Sequence, residues 1–165
     1  MNGYQNINGN WIHDTAIIHP SYVRMGKGNI IGAYAVIGEA GEQRGKHPDD
    51  FKGLVVIGDN NRISEHVTIQ RPYESDKSTK IGNDNFIMAH SHIGHDAVIG
   101  DNNELCTGTI VGGYVTITND TRIKLGVTIR NRVFVSCGCV IGMGSVVIKD
   151  VEPFTTVYGN PAKEK

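Results

Sequence analysis

Aliphatic residues recur every six positions along most of the chain. From Ile93 the steps fall on Ile99, Leu105, Val111, Ile117, Ile123, Ile129, Val135, Ile141 and Val147. In the other direction Ile87, Ile81, Ile69, Ile63 and Ile57 keep the register, and Ser75 alone breaks it. Four residues after most of these aliphatics stands a small or β-branched side chain: Val67, Ala97, Thr109, Val115, Thr121, Val127, Val133, Cys139, Ser145 and Val151. Asn61, Tyr73 and Asn85 are among the exceptions, and glycine often follows the aliphatic directly, as at Gly58, Gly82, Gly94, Gly100 and Gly142. The pattern predicts a short strand and a corner in every hexad. Alternate strand side chains point inward, and turn-permissive Gly, Asn and Asp mark the bends. Three strands close one triangular coil, and successive coils stack in parallel about 4.8 Å apart. One coil cannot bury its apolar face, so the stack itself supplies the core.

Ahead of Ile57 the period is looser. Ile12, Ile18, Ile31 and Ile37 fit when one extra residue is placed near Met25. The pattern lapses twice, which predicts excursion loops over 39–56 and 71–80 and a short tail over 151–165, all within one domain spanning 1–165. Long loops on a regular scaffold are often functional, although tolerated insertions look the same in sequence.

Composition narrows the function class. The 165 residues carry a formal net charge of -1, so neither nucleic acid nor an acidic membrane surface is implied as a partner. No basic-then-apolar leader opens the sequence and no run approaches a membrane span. The three cysteines, Cys106, Cys137 and Cys139, form an odd set without an export signal, which predicts reduced thiols and a cytoplasmic protein.

Candidate chemistry gathers in Ala89-His90-Ser91-His92-Ile93-Gly94-His95-Asp96. With Ile93 inward, His92 points outward, His95 stands at a corner and His90 at another. Stepping one coil at a time from His95 gives Gly113, Asn131 and Lys149, a surface column suited to a long ligand lying along the coil axis with a phosphate end at the lysine. A neutral histidine with a pKa near ~6.5 suits the deprotonation of an attacking hydroxyl or amine. A backbone N–H, such as that of Gly113, suits the oxyanion of acyl transfer. Asp96 would orient the His95 imidazole, provided the corner turns both outward.

The hexad resembles that of the hexapeptide-repeat acyltransferase superfamily, which implies an all-β, left-handed parallel β-helix with excursion loops, assembled as a homotrimer with sites between subunits. More narrowly, Ile63-Ser64-Glu65-His66-Val67-Thr68-Ile69-Gln70-Arg71, Ser91-His92-Ile93-Gly94-His95-Asp96 and Gly113-Tyr114-Val115 look like the UDP-N-acetylglucosamine O-acyltransferases of lipid A synthesis. That resemblance implies His95 as general base, His92 as a sugar-nucleotide contact and Gly113 as the oxyanion donor. That family has histidine where this chain has Gln70 and Tyr114, and a helical domain beyond the β-helix, whereas this sequence stops at Lys165. The ending Lys149-Asp150-Val151-Glu152-Pro153-Phe154 and Val157-Tyr158-Gly159-Asn160-Pro161-Ala162-Lys163 instead looks like acetyl-CoA-dependent sugar acetyltransferases, where this turn borders the coenzyme. Asn131, Lys149, Gly159, Pro161 and Lys163 are therefore expected at an acetyl-CoA donor. His92, Tyr114, Gln70, Arg71 and Glu42 are expected at a sugar or nucleotide-sugar acceptor, with Gln43 and Arg44 nearby and no metal. An acyl-carrier-protein donor is the first alternative. The fold is shared with gamma-class carbonic anhydrases, whose histidine spacing His90 and His95 match, but Gln70 and Ser64 stand at that family's third zinc ligand and catalytic glutamine. A non-catalytic scaffold is the third reading.

Overall fold

The computed structural model describes residues 3–165. The hexads form three parallel sheets wound into one three-sided coil stack. The first face carries Phe86–Ile87, Glu104–Leu105, Arg122–Ile123 and Val140–Ile141; the second carries His92–Ile93, Ile110–Val111, Thr128–Ile129 and Val146–Val147; the third carries Val98–Ile99, Thr116–Ile117 and Phe134–Val135. In each two-residue strand the second side chain points inward. Ile87, Ile93, Leu105, Val111, Ile117 and Ile123 are fully buried, one above the other, as the period requires. Among the described residues no helix is long and apolar enough to cross a membrane.

Two features of the corners differ from the sequence expectation. The glycines that follow the aliphatics are not the turn residues. A Cβ on Gly82 would sit 2.6 Å from the Gly100 carbonyl oxygen, so that position is kept bare to let coils approach. The bend falls two residues later, where His66, Asp84, His90, Asp96, Asn102, Gly108, Tyr114, Asp120 and Gly126 all have positive φ. Asn and Asp tolerate this conformation better than most residues, and Tyr114 and Arg132 adopt it as well. Secondly, Asn61 and Asn85 do not break the inward pattern. Asn10, Asn29, Asn61, Asn85 and Asn103 stack inside one corner, each side-chain oxygen accepting from the main-chain N–H of the next coil's residue. Their amide groups donate to main-chain carbonyls of adjacent corners, as Asn61 does to Gly82 and Asn85 to Gly100. Buried amides are stable here because every hydrogen-bonding atom finds a partner.

The excursions are shorter than 39–56 and 71–80. Leu54–Ile57 and Ser78–Ile81 are strands of the third face, paired to each other through Val55 with Thr79 and Ile57 with Ile81. The first loop includes a 3-10 turn, Pro48–Asp50, capped by the His47 side chain. The extra residue expected near Met25 lies in the turn before Val23–Met25, a strand that pairs with Leu54–Ile57. The segment after Val151 is no loose tail. Thr156–Gly159 continues the first face in parallel and Ala162–Glu164 folds back on it as a hairpin. The three cysteines are free thiols, and burial raises the pKa of Cys106.

Candidate active site

His95 and Asp96 occupy the corner between the second and third faces. Asp96 has a φ of 59°, and this turn swings both side chains to the same side. His95 Nδ1 lies 2.9 Å from Asp96 Oδ2. The carboxylate only accepts, so in the neutral imidazole Nδ1 carries the proton and Nε2 the lone pair. The same Asp96 oxygen accepts from the Tyr73 N–H at 3.0 Å, and the Asp96 N–H donates to Thr79 Oγ1 at 2.9 Å. His95 turns away from the core as expected, yet it is only 8% exposed, because the Tyr73 ring lies flat on it with centroids 3.5 Å apart. Tyr114 meets the imidazole edge-on at 5.0 Å, and the Arg132 guanidinium covers the Tyr114 ring at 4.2 Å.

Strand register places Gly113, Asn131 and Lys149 in the column that begins at His95. Gly113 is bare for a reason: a Cβ there would lie 2.3 Å from His95 Nε2. The free imidazole nitrogen therefore hangs directly over the Gly113 backbone. At the corner between the third and first faces, the equivalent N–H groups of Asp59, Asn83 and Asp101 are each engaged by a side-chain oxygen from the next coil. The Gly113 N–H makes no such bond among the described residues, although the Asn131 side-chain oxygen of the next coil lies beside Gly112.

A second group of residues meets beside this dyad. Thr68, Gln70, His92, Glu39 and Glu42 line one hollow between the second face and the first excursion loop. His92 Nδ1 and Thr68 Oγ1 are hydrogen-bonded at 2.7 Å. Burial lowers the His92 pKa, opposed by the Glu42 carboxylate and reinforced by His95, so the ring is neutral at pH 7. The unfolded chain binds a proton that folded His92 resists, which makes stability fall as pH drops through about 6.5 toward the folded pKa. Thermal midpoints recorded from pH ~7.5 down to ~5 should decline less steeply for His92→Gln than for the parent. Equal declines would contradict this account of His92.

Arg71 is placed elsewhere than expected. Its side chain is buried rather than presented to an acceptor. It donates to the Phe51 carbonyl at 2.6 Å and the Pro48 carbonyl at 3.3 Å, with its guanidinium 3.9 Å from the Tyr22 ring centre. A planar, multi-donor cation suits this task of fastening a loop. Lys149, Pro161 and Lys163 line a hollow at the C-terminal end of the stack, while Gly159 ends the strand Thr156–Gly159, outside that lining. His90 stands at a different corner from the dyad, between the first and second faces, stacked on His66 at 4.8 Å. Among the described residues no group of three metal-ligating side chains converges. Tyr73, Thr68 and Thr79 were not singled out by sequence as site residues. For Tyr73 the signal was present, since it interrupts the hexad between two regular coils.

Residues 78–113 match the family described as bacterial transferase hexapeptide (six repeats). An acyl-(acyl-carrier-protein)–UDP-N-acetylglucosamine O-acyltransferase from Stutzerimonas stutzeri is 39% identical over 148 residues, covering 86% of this chain and 55% of that protein. The counterpart from Gloeothece citriformis is 35% identical over 144 residues, covering 84% and 50%. Among solved structures, a UDP-N-acetylglucosamine acyltransferase from Bacteroides fragilis superposes with a TM-score of 0.88 at 30% identity, over 95% of this chain and 60% of that one. The chain thus spans about half the length of the curated relatives it matches. Its fold is a left-handed parallel β-helix of hexapeptide repeats, and its sequence and fold are similar to those acyltransferases.

Proposed function

We propose that this protein transfers an acyl group from a thioester to a hydroxyl of a UDP-linked amino sugar, with His95 as general base. The observation that carries the reading is the His95 imidazole, held at Nδ1 by Asp96 with Nε2 free above Gly113. Nε2 takes the proton from the acceptor hydroxyl as its oxygen attacks the thioester carbonyl carbon. The oxyanion is stabilised by the Gly113 N–H. The intermediate collapses, the C–S bond breaks, and the imidazolium returns the proton to the departing thiolate. Asp96 stabilises the imidazolium in between. His92, Gln70 and Glu42 line the hollow beside the base and hold the sugar nucleotide, and Tyr114 borders the reacting centre.

The names of the relatives support a carrier-protein thioester as donor in place of the acetyl-CoA expected from the C-terminal turn. Either donor presents a phosphopantetheine arm. Lys149, with Asn131 below it in the column, and Lys163 in the terminal hairpin suit its phosphate and length. A homotrimer completes the site. Along the second face Ile17, Val36, Thr68, His92, Ile110, Thr128 and Val146 form an outward column without Lys, Arg, Asp or Glu, with the exposed Glu39 at the end of its strand Val36–Glu39, and Ile17 and Ile110 are 57% and 47% exposed. Such a face beside the dyad suits burial against a second copy.

Thermal unfolding with UDP-N-acetylglucosamine tests the acceptor. At ~100 times Kd a ligand that binds only the folded state stabilises it by about 2.7 kcal/mol. The midpoint should rise with the UDP-sugar and rise less with UDP alone. No rise with the UDP-sugar at millimolar concentration would contradict the assigned acceptor.

A further inference from the structure

The general base is held by more than its carboxylate, and the extra hold comes from outside the repeat. Tyr73 belongs to the second excursion, where the hexad lapses. Its ring lies within 10° of parallel to the His95 imidazole at 3.5 Å. Its main-chain N–H donates to Asp96 Oδ2, the oxygen that fixes His95 Nδ1. Its hydroxyl donates to the Glu42 carbonyl at 2.6 Å, and Glu42 lines the hollow that contains His92. The ring is itself backed by Phe51 at 5.5 Å. Phe51 is held in turn by Arg71 through its carbonyl. Gly41 leaves the necessary space, since a Cβ there would lie 2.6 Å from the Tyr73 ring. One residue therefore touches the base, its carboxylate and the loop beside the acceptor hollow, the first and third through its side chain and the second through its main-chain N–H.

We propose that Tyr73 is the positioning residue of the His95–Asp96 pair and couples it to the first excursion loop. The role of the base itself rests on the function proposed above. The ring keeps the imidazole from tilting off Gly113 and shields one of its faces from water. The main-chain N–H keeps the carboxylate in the plane that accepts from Nδ1. The hydroxyl makes the setting of the loop around Glu42 part of the same unit, so acceptor binding and base alignment reinforce each other. A misplacement of about 1 Å at a reacting group costs as much as ~10²-fold in rate, which is the scale on which such a brace acts.

The two functions of the side chain separate by substitution. Tyr73→Phe keeps the stack and the main-chain bond and removes only the tie to Glu42. It is expected to raise the acceptor KM severalfold with kcat nearly unchanged. Tyr73→Ala removes stack and tie, and is expected to lower kcat by ~10–10²-fold. A readout independent of any activity is nitrogen NMR of the labelled His95 imidazole in the full chain. The parent and Tyr73→Phe should each show a single tautomer with Nε2 unprotonated, and Tyr73→Ala a mixture with faster exchange of the Nδ1 proton. A Tyr73→Ala protein that keeps the single tautomer and slow exchange overturns the proposal. So does a Tyr73→Phe protein as mixed as Tyr73→Ala, since the ring would then not be what holds the base. If the tautomers behave as expected while no acyl transfer is found with the parent, the positioning role stands and the assigned reaction fails.

Discussion

Replacing His95 by alanine should lower kcat by ~10²–10⁴-fold while leaving the fold intact by circular dichroism. The size follows from what the ring does. Nε2 lies over the Gly113 backbone, where both the attacking hydroxyl and the developing oxyanion would sit. The neighbouring groups are poorer candidates. Asp96 uses Oδ2 to accept from Nδ1 and from the Tyr73 N–H while its Oδ1 is buried without a partner among the described residues, and the Tyr73 phenol is raised above its ordinary pKa by burial, by Tyr114 and by the Asp96 and Glu42 carboxylates. The imidazole lies outside the aliphatic core, which runs through Ile93, Val111 and Ile129, so its loss does not unpack the coil. A variant with the parental rate would remove His95 from the chemistry.

The second large effect is on stability. Asn61→Ala should cost about 2–4 kcal/mol, read from the midpoint of reversible denaturant unfolding. Two main-chain groups lose this partner, the buried Asn85 N–H that donates to Asn61 Oδ1 and the half-buried Gly82 carbonyl that accepts from Asn61 Nδ2. Each such orphan costs about 1–3 kcal/mol. The ladder runs from Asn10 to Thr121 through successive coils, so the loss falls in the middle of a continuous chain of bonds. A midpoint unchanged from the parent would show that water enters the corner and replaces the amide.

What was legible in the sequence follows from how it was encoded. The inward aliphatics were readable because every coil asks the same question of the same position, and an exact period repeated over many coils leaves little alternative. The column from His95 to Lys149 followed by counting. The asparagine ladder was hidden because asparagine is also a favoured corner residue, and nothing local tells an inward amide from an outward one. The glycines after the aliphatics were misread for a related reason. Close approach between coils and backbone bending both select glycine, and only the neighbouring coil distinguishes Gly82, bare for contact, from Gly108, which bends the chain.

The excursions were detectable as lapses but not interpretable, because their contacts are long-range and aperiodic. Arg71 illustrates this. Next to Gln70 at the end of a strand it looks like a ligand for sugar or phosphate, yet it turns inward to hold the loop carbonyls of Phe51 and Pro48. Tyr73 was visible only as a break in the pattern, and its stacking on His95 depends on where the two loops meet. Asp96 was readable conditionally: its value depended on the corner turning both neighbours outward, and the positive φ at that residue supplies the turn.

The most direct measurement is mass spectrometry of UDP-N-acetylglucosamine incubated with the protein and an acyl-carrier-protein thioester, with acetyl-CoA in parallel. The account predicts a nucleotide sugar heavier by one acyl group, formed faster from the carrier thioester and lost with His95→Ala. A folded protein that raises no acylated nucleotide sugar from either donor would contradict it.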